Sequence, residues 1–229
     1  MSIADKLNTI AENQVAVFDA GADSEREAFW NAYTKNGTRT NYNYGFYSTG
    51  WDDVSFRPTR NIVINTANST FRGCAVTDMV AILNECGVTL DFSKCTVFTS
   101  TFYGMTTTTL PVIDTSSCGA LTTIFASMAN LVSIEKLILK SNGATTFSSI
   151  FQSTPNLEEI RIEGAIGNNG FSVSPCTKLS HDSLMSIIDH LKDYAGSGST
   201  YTLTLGTTNL GKLTADEKKI ATDKGWTLT

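Results

Sequence analysis

The side chains that could carry out chemistry in this sequence are few and scattered. The two histidines, His181 and His190, lie on one predicted helix but nine positions apart, and no acidic residue stands at a spacing that would orient either ring as a base. No G-x-S-x-G, P-loop, H-E-x-x-H or G-x-G-x-x-G motif occurs. The sequence therefore predicts a protein that is not an enzyme and needs no cofactor.

The cysteines and acidic pairs do not predict a metal centre or a disulfide framework. There are five cysteines, an odd number, and none forms a C-x-x-C pair. They are better explained as small apolar residues of a core. Asp52 and Asp53 could together bind calcium, but adjacent carboxylates in a turn are more often simply polar, so we predict no metal.

An aromatic segment over residues 38–60 has two interpretations. It contains six aromatic side chains among asparagines and glycines: Tyr42, Tyr44, Phe46, Tyr47, Trp51 and Phe56. Aromatic faces stack on sugar C–H groups, and amides bind hydroxyls, so Tyr42, Tyr44 and Trp51 are candidate glycan-binding residues. Alternatively, the segment is a cap that covers the open end of the core that follows, which stacked folds require. We favour the cap and keep the glycan interpretation open.

Composition limits the partners that this protein can have. The net charge is -5 and charged residues are 17% of the chain, whereas 33 Thr, 22 Ser and 16 Asn supply most of the polarity. A basic stripe for nucleic acid is absent, and no apolar run is long enough to span a membrane. The first residues also lack a basic segment followed by an apolar one, so no secretory signal is predicted and the localisation, virion or bacterial cytoplasm, stays open.

Internal repetition is the strongest signal in the sequence. Residues 90–95 align with residues 113–118 at a spacing of 23, and a third copy begins 26 residues later, where Leu139 takes the place of Ile113. The aligned aromatic and apolar positions are Phe98, Leu121 and Phe147, followed by Phe102, Phe125 and Phe151. An irregular earlier copy begins at residue 61, and residues 159–163 and 201–205 fit the same plan.

Each unit is predicted to be a short strand, a turn and a short helical segment. Alternation gives each strand one buried face, and the spacing of Phe98 and Phe102 matches one helical turn. Because one unit cannot bury that face alone, we expect units to stack, with each aromatic ring on its equivalent in the next. Cys95, Cys118 and Ala144 then share a position that admits only small side chains.

These motifs resemble a known family. The pattern Leu/Ile-Asp-x-Ser-x-Cys, then Phe-x-x-x-Phe, with residues 124–131 after it, is similar to the BspA-type leucine-rich repeat, over roughly residues 61–163. That resemblance implies a bacterial surface, adhesion or macromolecule-binding protein. The third copy departs from the pattern at Lys140, where the other copies have Asp91 and Asp114. The ends of the chain also resemble small repeat proteins encoded near prophage tail genes of gut Firmicutes.

Helices are predicted at both ends of the repeats. Residues 3–17 carry a heptad-like seam, which is either a stalk that forms homo-oligomers or a helix packed on its own domain. A second helix begins near Asp23 and ends before Gly37. At the other end, Ser180 should cap a helix, and Thr214 with Glu217 forms a capping box, followed by a last strand at residues 226–228.

Together these features predict an α/β repeat protein, a leucine-rich-repeat-like solenoid with helical ends. The expected parts are a helical stalk or cap at 1–37, an aromatic cap loop at 38–60, and the solenoid with closing helix-strand units at 61–229. Its function would be non-catalytic binding or adhesion to a protein or a cell-envelope glycan. The alternatives are a structural virion component and an intracellular interaction scaffold. Outward strand residues are the candidate binding surface: Thr89, Asp91, Val112, Asp114, Ile138, Lys140, Arg161, Glu163, Thr202 and Thr204.

Overall fold

Parallel pairing between successive segments organises this protein. The computed structural model describes residues 23–53 and 56–229, and the predicted stalk over residues 3–17 lies outside them. The helices are α1 (Asp23–Tyr33), α2 (Met79–Cys86), α3 (His181–Asp189), α4 (Thr207–Leu210) and α5 (Ala215–Asp223). The strands are β1 (Ile62–Val63), β2 (Leu90–Asp91), β3 (Phe98–Thr99), β4 (Thr109–Asp114), β5 (Ala120–Thr122), β6 (Ser133–Ile138), β7 (Thr146–Ser148), β8 (Glu159–Glu163), β9 (Tyr201–Leu203) and β10 (Trp226–Leu228).

The strands of the described residues form four small parallel sheets. Two of them have three strands, in the orders β4–β6–β8 and β3–β5–β7, and the two-stranded sheets are β1–β2 and β9–β10. We call the β4–β6–β8 sheet the sheet side. We call β3, β5 and β7 with the turns that follow them, together with the turns at residues 42–50 and 67–75 that continue the same stack, the turn side. In the two three-stranded sheets, each strand therefore pairs with the equivalent strand of the next unit and not with the strand that follows it in sequence.

A ladder of phenylalanine rings forms the centre of the turn side. Phe71, Phe102, Phe125 and Phe151 stack in order, with ring centroids 5.5, 5.8 and 5.3 Å apart and nearly parallel planes. The prediction that these rings pack on their equivalents is thus confirmed. The register of β3, β5 and β7 also agrees with the sequence alignment, since Phe98 pairs with Leu121, and Leu121 with Phe147. Such pairs stabilise a core by about 0.5–1.5 kcal/mol beyond their burial.

Left-handed backbone positions flank each ring of the ladder. Two residues before and two residues after Phe125, the φ angles of Thr123 and Ser127 are +49° and +58°. The same pattern surrounds the other rings, at Ser69 and Gly73, Ser100 and Gly104, and Ser149 and Ser153. Non-glycine residues in this region cost about 1–2 kcal/mol each. The turn side is therefore built from a repeated, partly strained turn.

The turn replaces the short helical segment that the sequence predicted. Phe98 lies in a two-residue strand, and Phe102 follows in a turn whose Met105 amide donates to the Phe102 carbonyl. Here the spacing of four residues, which would indicate one helical turn, separates Phe98 in the strand from Phe102 in the turn, with the left-handed Ser100 between them. The spacing alone does not distinguish the two, because both bring residues i and i+4 to the same face.

Aromatic rings close the N-terminal end of the core. Trp30 of α1 packs against Phe46 and Trp51, whose centroids lie 5.8 and 6.3 Å from its own. Phe46 stacks on Phe71 at 4.9 Å and so continues the ladder into this end. The capping interpretation of the aromatic segment accounts for these contacts, and the buried residues form one hydrophobic cluster from Trp30 to Trp226.

The C-terminal helices begin where the sequence predicts. The Ser180 hydroxyl caps α3 by accepting from the Ser183 amide, and Thr214 and Glu217 form both hydrogen bonds of the capping box of α5. Gly225, with φ +82°, follows α5 and leads directly into β10. Two helices were missed. One is the short α4, and the other is α2, which Asp78 caps and the left-handed Gly87 ends.

Candidate binding face on the sheet side

The outward surface of the sheet side is polar and charged, while its inner surface belongs to the core. In β8, Ile160 and Ile162 are buried, and the alternating residues Glu159, Arg161 and Glu163 are exposed. In β4 and β6 two residues that are not buried separate the buried ones, Leu110 and Ile113 in β4 and Ile134 and Leu137 in β6, and the register shift between β6 and β8 falls in this interval. The exposed or half-buried residues in those two strands include Val112, Asp114, Glu135, Lys136 and Ile138.

Two adjoining grooves follow this surface and share Glu163. The first has a volume of about 770 Å³ at the carboxyl ends of the three strands, where Asp114, Ile138 and Lys140 line it. The second, about 410 Å³, lies between β8 and α3 and is lined by Arg161, Lys136, Asp182 and His190, among others. The structure therefore brings together five of the residues predicted from the sequence: Asp114, Ile138, Lys140, Arg161 and Glu163.

The cations of these grooves differ in their partners. The Lys136 ammonium lies 2.9 Å from a Glu163 carboxylate oxygen, which makes an ion pair on the surface. Lys140 and Arg161 line the grooves without a hydrogen bond or ion pair to any other side chain among the described residues. An arginine without a carboxylate partner can form a bidentate contact with an acidic group of another molecule.

Asp91 and Asp114 mainly stabilise local turns. The Asp91 carboxylate accepts from the Ser93 amide at 2.9 Å, and Asp114 accepts from the Ser116 amide at the same distance. Hydrogen bonds from the Ser93 side chain and amide hold the pKa of Asp91 below its ordinary value. Asp114 also lines the larger groove, so its carboxylate lies beside the candidate face while it holds the turn.

The third copy has a different register from the one that the sequence suggests. Asn142, and not Lys140, makes the corresponding contact, because its side-chain oxygen accepts from the Ala144 amide at 2.9 Å. In the strand, Ile113 pairs with Leu137 and not with Leu139. Ala144 is exposed, and the neighbouring Thr145 is buried instead and donates toward the Cys118 carbonyl. Extra residues in this turn explain why an alignment without gaps placed Lys140 opposite the aspartates.

Thr89 and Val112 lie apart from the two grooves. They line a smaller cleft of about 180 Å³ between β2, α2 and β4, together with Pro111 and Glu135. Val112 is 41% exposed. β2 and β4 belong to different sheets, and β4 is an edge strand, where a proline such as Pro111 is tolerated. Thr202 and Thr204 lie at the C-terminal end, in or beside β9.

The three aromatic candidates are divided between core and surface. Tyr42 and Trp51 are each 1% exposed and pack in the N-terminal aromatic cluster, so their ring faces cannot stack on a sugar from these positions. Tyr44, in contrast, is 59% exposed. Of this predicted set, only Tyr44 presents its ring to solvent.

Both histidines have contacts that do not resemble a nucleophile-base arrangement. His181 Nε2 lies 2.8 Å from a Glu217 carboxylate oxygen, a contact that local spacing could not predict because Glu217 belongs to α5. Hydrogen bonds from Thr214 and then from His181 lower the pKa of Glu217. His190 Nδ1 is 2.7 Å from the Ser186 carbonyl. Neither ring forms a hydrogen bond with a serine, threonine or cysteine side chain among the described residues.

Four of the five cysteines behave as buried small residues, whereas Cys86 is half-buried. Burial raises the pKa of Cys74 to about 11 and the pKa values of Cys95 and Cys176 to about 12. Cys95 and Cys118 each direct the thiol at the backbone carbonyl two residues later, at 3.3 and 3.0 Å. Within the described residues, all five are free thiols, and no group of three His, Cys, Asp or Glu side chains could hold a metal ion.

Comparisons with known proteins add no relative. No protein-family model matches the chain, and neither a curated protein nor a solved structure does. In the part of the chain that the structure describes, no helix combines the length and apolar character needed to cross a membrane.

Proposed function

We propose that this chain is a leucine-rich-repeat-like solenoid of BspA type that binds a macromolecular partner through its sheet side and does not catalyse a reaction. The observation that carries the proposal is the pair of adjoining grooves on the outward surface of β4, β6 and β8. Parallel pairing of units 23 to 26 residues apart on the turn side supports the repeat architecture. Extended sheet surfaces are what repeat proteins commonly use to hold partners.

The charges of the grooves favour a protein partner over a neutral glycan. Cations and carboxylates alternate across the strands: Lys136, Lys140 and Arg161 lie among Asp114, Glu159, Glu163 and Asp182. A protein surface with complementary alternating charges could be recognised specifically by such a pattern. Lys140 and Arg161 would pair with carboxylates of that partner.

The non-catalytic part of the proposal rests on the side chains. The candidate grooves hold one histidine, His190, whose Nδ1 is engaged by a backbone carbonyl, and no cysteine lines either groove. A surface or phage-tail setting is proposed only from the resemblance of the repeats and of the chain ends.

Photo-crosslinking tests whether the sheet side is the binding face. The photoreactive probe p-benzoyl-L-phenylalanine replaces Val112 in one variant and Arg161 in a second, and both positions lie on the sheet side. A third variant replaces the exposed Gln152 and places the probe on the turn side as a matched control. After irradiation with a bacterial cell-envelope fraction, we expect a discrete adduct from both sheet-side positions and none from Gln152. Equal adducts from both sides, or none from the sheet side, would contradict the proposal.

A further inference from the structure

A patch of tyrosines and one arginine lies on the turn side, near its N-terminal end. Tyr44 and Tyr47 are 59% and 47% exposed, and their ring centroids are 6.0 Å apart. Arg72 and Tyr103 are half-buried, with the guanidinium carbon 4.5 Å from the Tyr103 ring centroid. We call these four residues the tyrosine–arginine patch. Large exposed aromatic side chains that lie together mark interaction surfaces more often than single ones do.

The stacked turns place the members of the patch in adjacent rows. Tyr47, Arg72 and Tyr103 each follow a ring of the phenylalanine ladder directly. The Ser48 amide donates to the Arg72 carbonyl at 3.0 Å, and the Gly73 amide donates to the Tyr103 carbonyl at 2.9 Å. The next two rows have Ala126 and Gln152 in the equivalent position. The aromatic and cationic character is therefore confined to the first three rows.

Arg72, like Arg39, contacts tyrosine rings, whereas two other arginines near this end of the molecule are paired with carboxylates. Arg57 and Arg60 form ion pairs with Glu85 and Glu27. Arg72 has no ion pair with any carboxylate among the described residues and contacts the face of Tyr103 instead. A guanidinium held against an aromatic ring keeps its hydrogen-bond donors available for an anion.

A row of asparagine amides borders the patch. The side-chain oxygen of Asn41 accepts from the Asn43 amide at 3.1 Å, and that of Asn43 accepts from the Asn68 amide at 2.9 Å. The Asn68 side-chain oxygen accepts from the Ser69 hydroxyl at 3.3 Å. Because the oxygens are occupied, the NH₂ groups are what these amides can offer to another molecule. Among the described residues, none of these three NH₂ groups donates to a protein group.

We infer that the tyrosine–arginine patch binds an acidic polysaccharide. Tyr44 and Tyr47 would stack on the C–H faces of sugar rings, Arg72 would pair with a carboxylate or sulfate group, and the asparagine amides would donate to hydroxyl oxygens. A nucleic acid fits less well, because the patch has one cation and the whole chain carries a net charge of -5. The inference goes beyond the proposed function, since this patch belongs to the turn side.

Affinity electrophoresis of the full chain tests the inference directly. The gels would contain polygalacturonate, alginate, hyaluronate or chondroitin sulfate, with dextran as the neutral polymer and with poly-L-glutamate and oligo(dT) as anions that are not sugars. We expect at least one acidic polysaccharide to retard the protein. Dextran, poly-L-glutamate and oligo(dT) should not retard it. Arg72→Gln and Tyr47→Ala should each weaken that retardation about tenfold, and Arg72→Lys should weaken it less.

Two control variants separate this inference from the proposed function. Gln152→Ala changes the equivalent turn position two rows beyond the patch, and Arg161→Gln removes a cation of the sheet side. Neither should alter the retardation, and circular dichroism should show that all variants are folded. The inference is overturned if no acidic polysaccharide retards the protein, if poly-L-glutamate or oligo(dT) retards it equally, or if Arg161→Gln weakens binding as much as Arg72→Gln.

Discussion

The turn side and the sheet side of this protein repeat in different ways. On the turn side, consecutive phenylalanine rings stack between 4.9 and 5.8 Å apart from Phe46 to Phe151, and left-handed residues recur two positions before and after each ring. On the sheet side, the pairing of β6 with β8 contains a register shift, and the outward residues change charge from strand to strand. The repetition is strict where backbone geometry and packing require it, and looser where side chains face solvent.

This difference separates stability from recognition. Close-packed rings cannot change size without a cavity or a clash, so the turn side is constrained. The charged residues of the sheet side contribute little to stability, because exposed ion pairs are worth about 0–1 kcal/mol. Substitutions on the two sides should therefore have very different consequences.

The largest effect should come from the middle of the ladder. Phe125→Ala removes a fully buried ring between Phe102 and Phe151 and should lower the free energy of unfolding by about 3–5 kcal/mol. Arg161→Gln, on the sheet side, should change it by less than about 0.5 kcal/mol. Urea denaturation measures both. Similar values for the two variants would remove the distinction between the sides.

Buried hydroxyls of the turn side should come next. Thr154 is fully buried and donates to the Phe125 carbonyl at 2.6 Å. Thr154→Val leaves that carbonyl without its partner and should cost about 1–3 kcal/mol. Thr99→Val in β3 is the matched control, because Thr99 is exposed and its hydroxyl has no hydrogen bond among the described residues. It should be neutral within about 0.5 kcal/mol, and an equal loss in both variants would argue against the hydroxyl contact.

Equivalent left-handed positions should respond with opposite signs. Gly104, at φ +67°, has open space where a Cβ would lie, so Gly104→Ala should cost about 1–2 kcal/mol through backbone strain alone. Ser127 stands in the same position one row later, at φ +58°. Ser127→Gly relieves strain but loosens the unfolded chain, for a net gain of roughly 0.5 kcal/mol. Thermal denaturation would detect both shifts, and a loss in both variants would contradict the equivalence.

The smallest effect should be a loss of stability in acid. The pKa values of Asp91 and Glu217 are lowered by hydrogen bonds in the folded protein. Each carboxylate therefore contributes stability above its unfolded-state pKa, and this contribution is lost as pH falls through the folded-state pKa. Urea midpoints measured from about pH 6 down to about pH 3 should fall, and less so in Glu217→Gln. An unchanged slope in that variant would exclude this contribution.

The sequence predicts the turn side better than the sheet side for a physical reason. Large rings such as Phe102 and Phe125 must align to stack, so their spacing in the sequence reports the register directly. The shift to Asn142 and Thr145 was missed because exposed turns accept extra residues without penalty to the core. The contact of His181 with Glu217 depends on how α3 and α5 pack, which no local pattern encodes. The helix α2 had a readable signal in Asp78 and Gly87.

The left-handed serines were not predicted because glycine is the residue usually expected there. Four of the five rows have a serine or threonine before the ring, namely Ser69, Ser100, Thr123 and Ser149. Part of the hydroxyl-rich composition thus belongs to these turns, and it is architectural before it is a sign of recognition. Tyr44 occupies the same position in the first row, and there it contributes to the surface.

A single variant compared with the unaltered chain in two assays tests the central claim most directly. Lys140→Gln, Arg161→Gln and Glu163→Gln combined remove three charges from the two grooves of the sheet side without changing a core residue. We expect the unfolding free energy of this variant to lie within about 1 kcal/mol of the original. The envelope adduct that benzoylphenylalanine at Val112 forms should be lost. A clear loss of stability, or an adduct that persists undiminished, would contradict the separation of recognition on the sheet side from stability on the turn side.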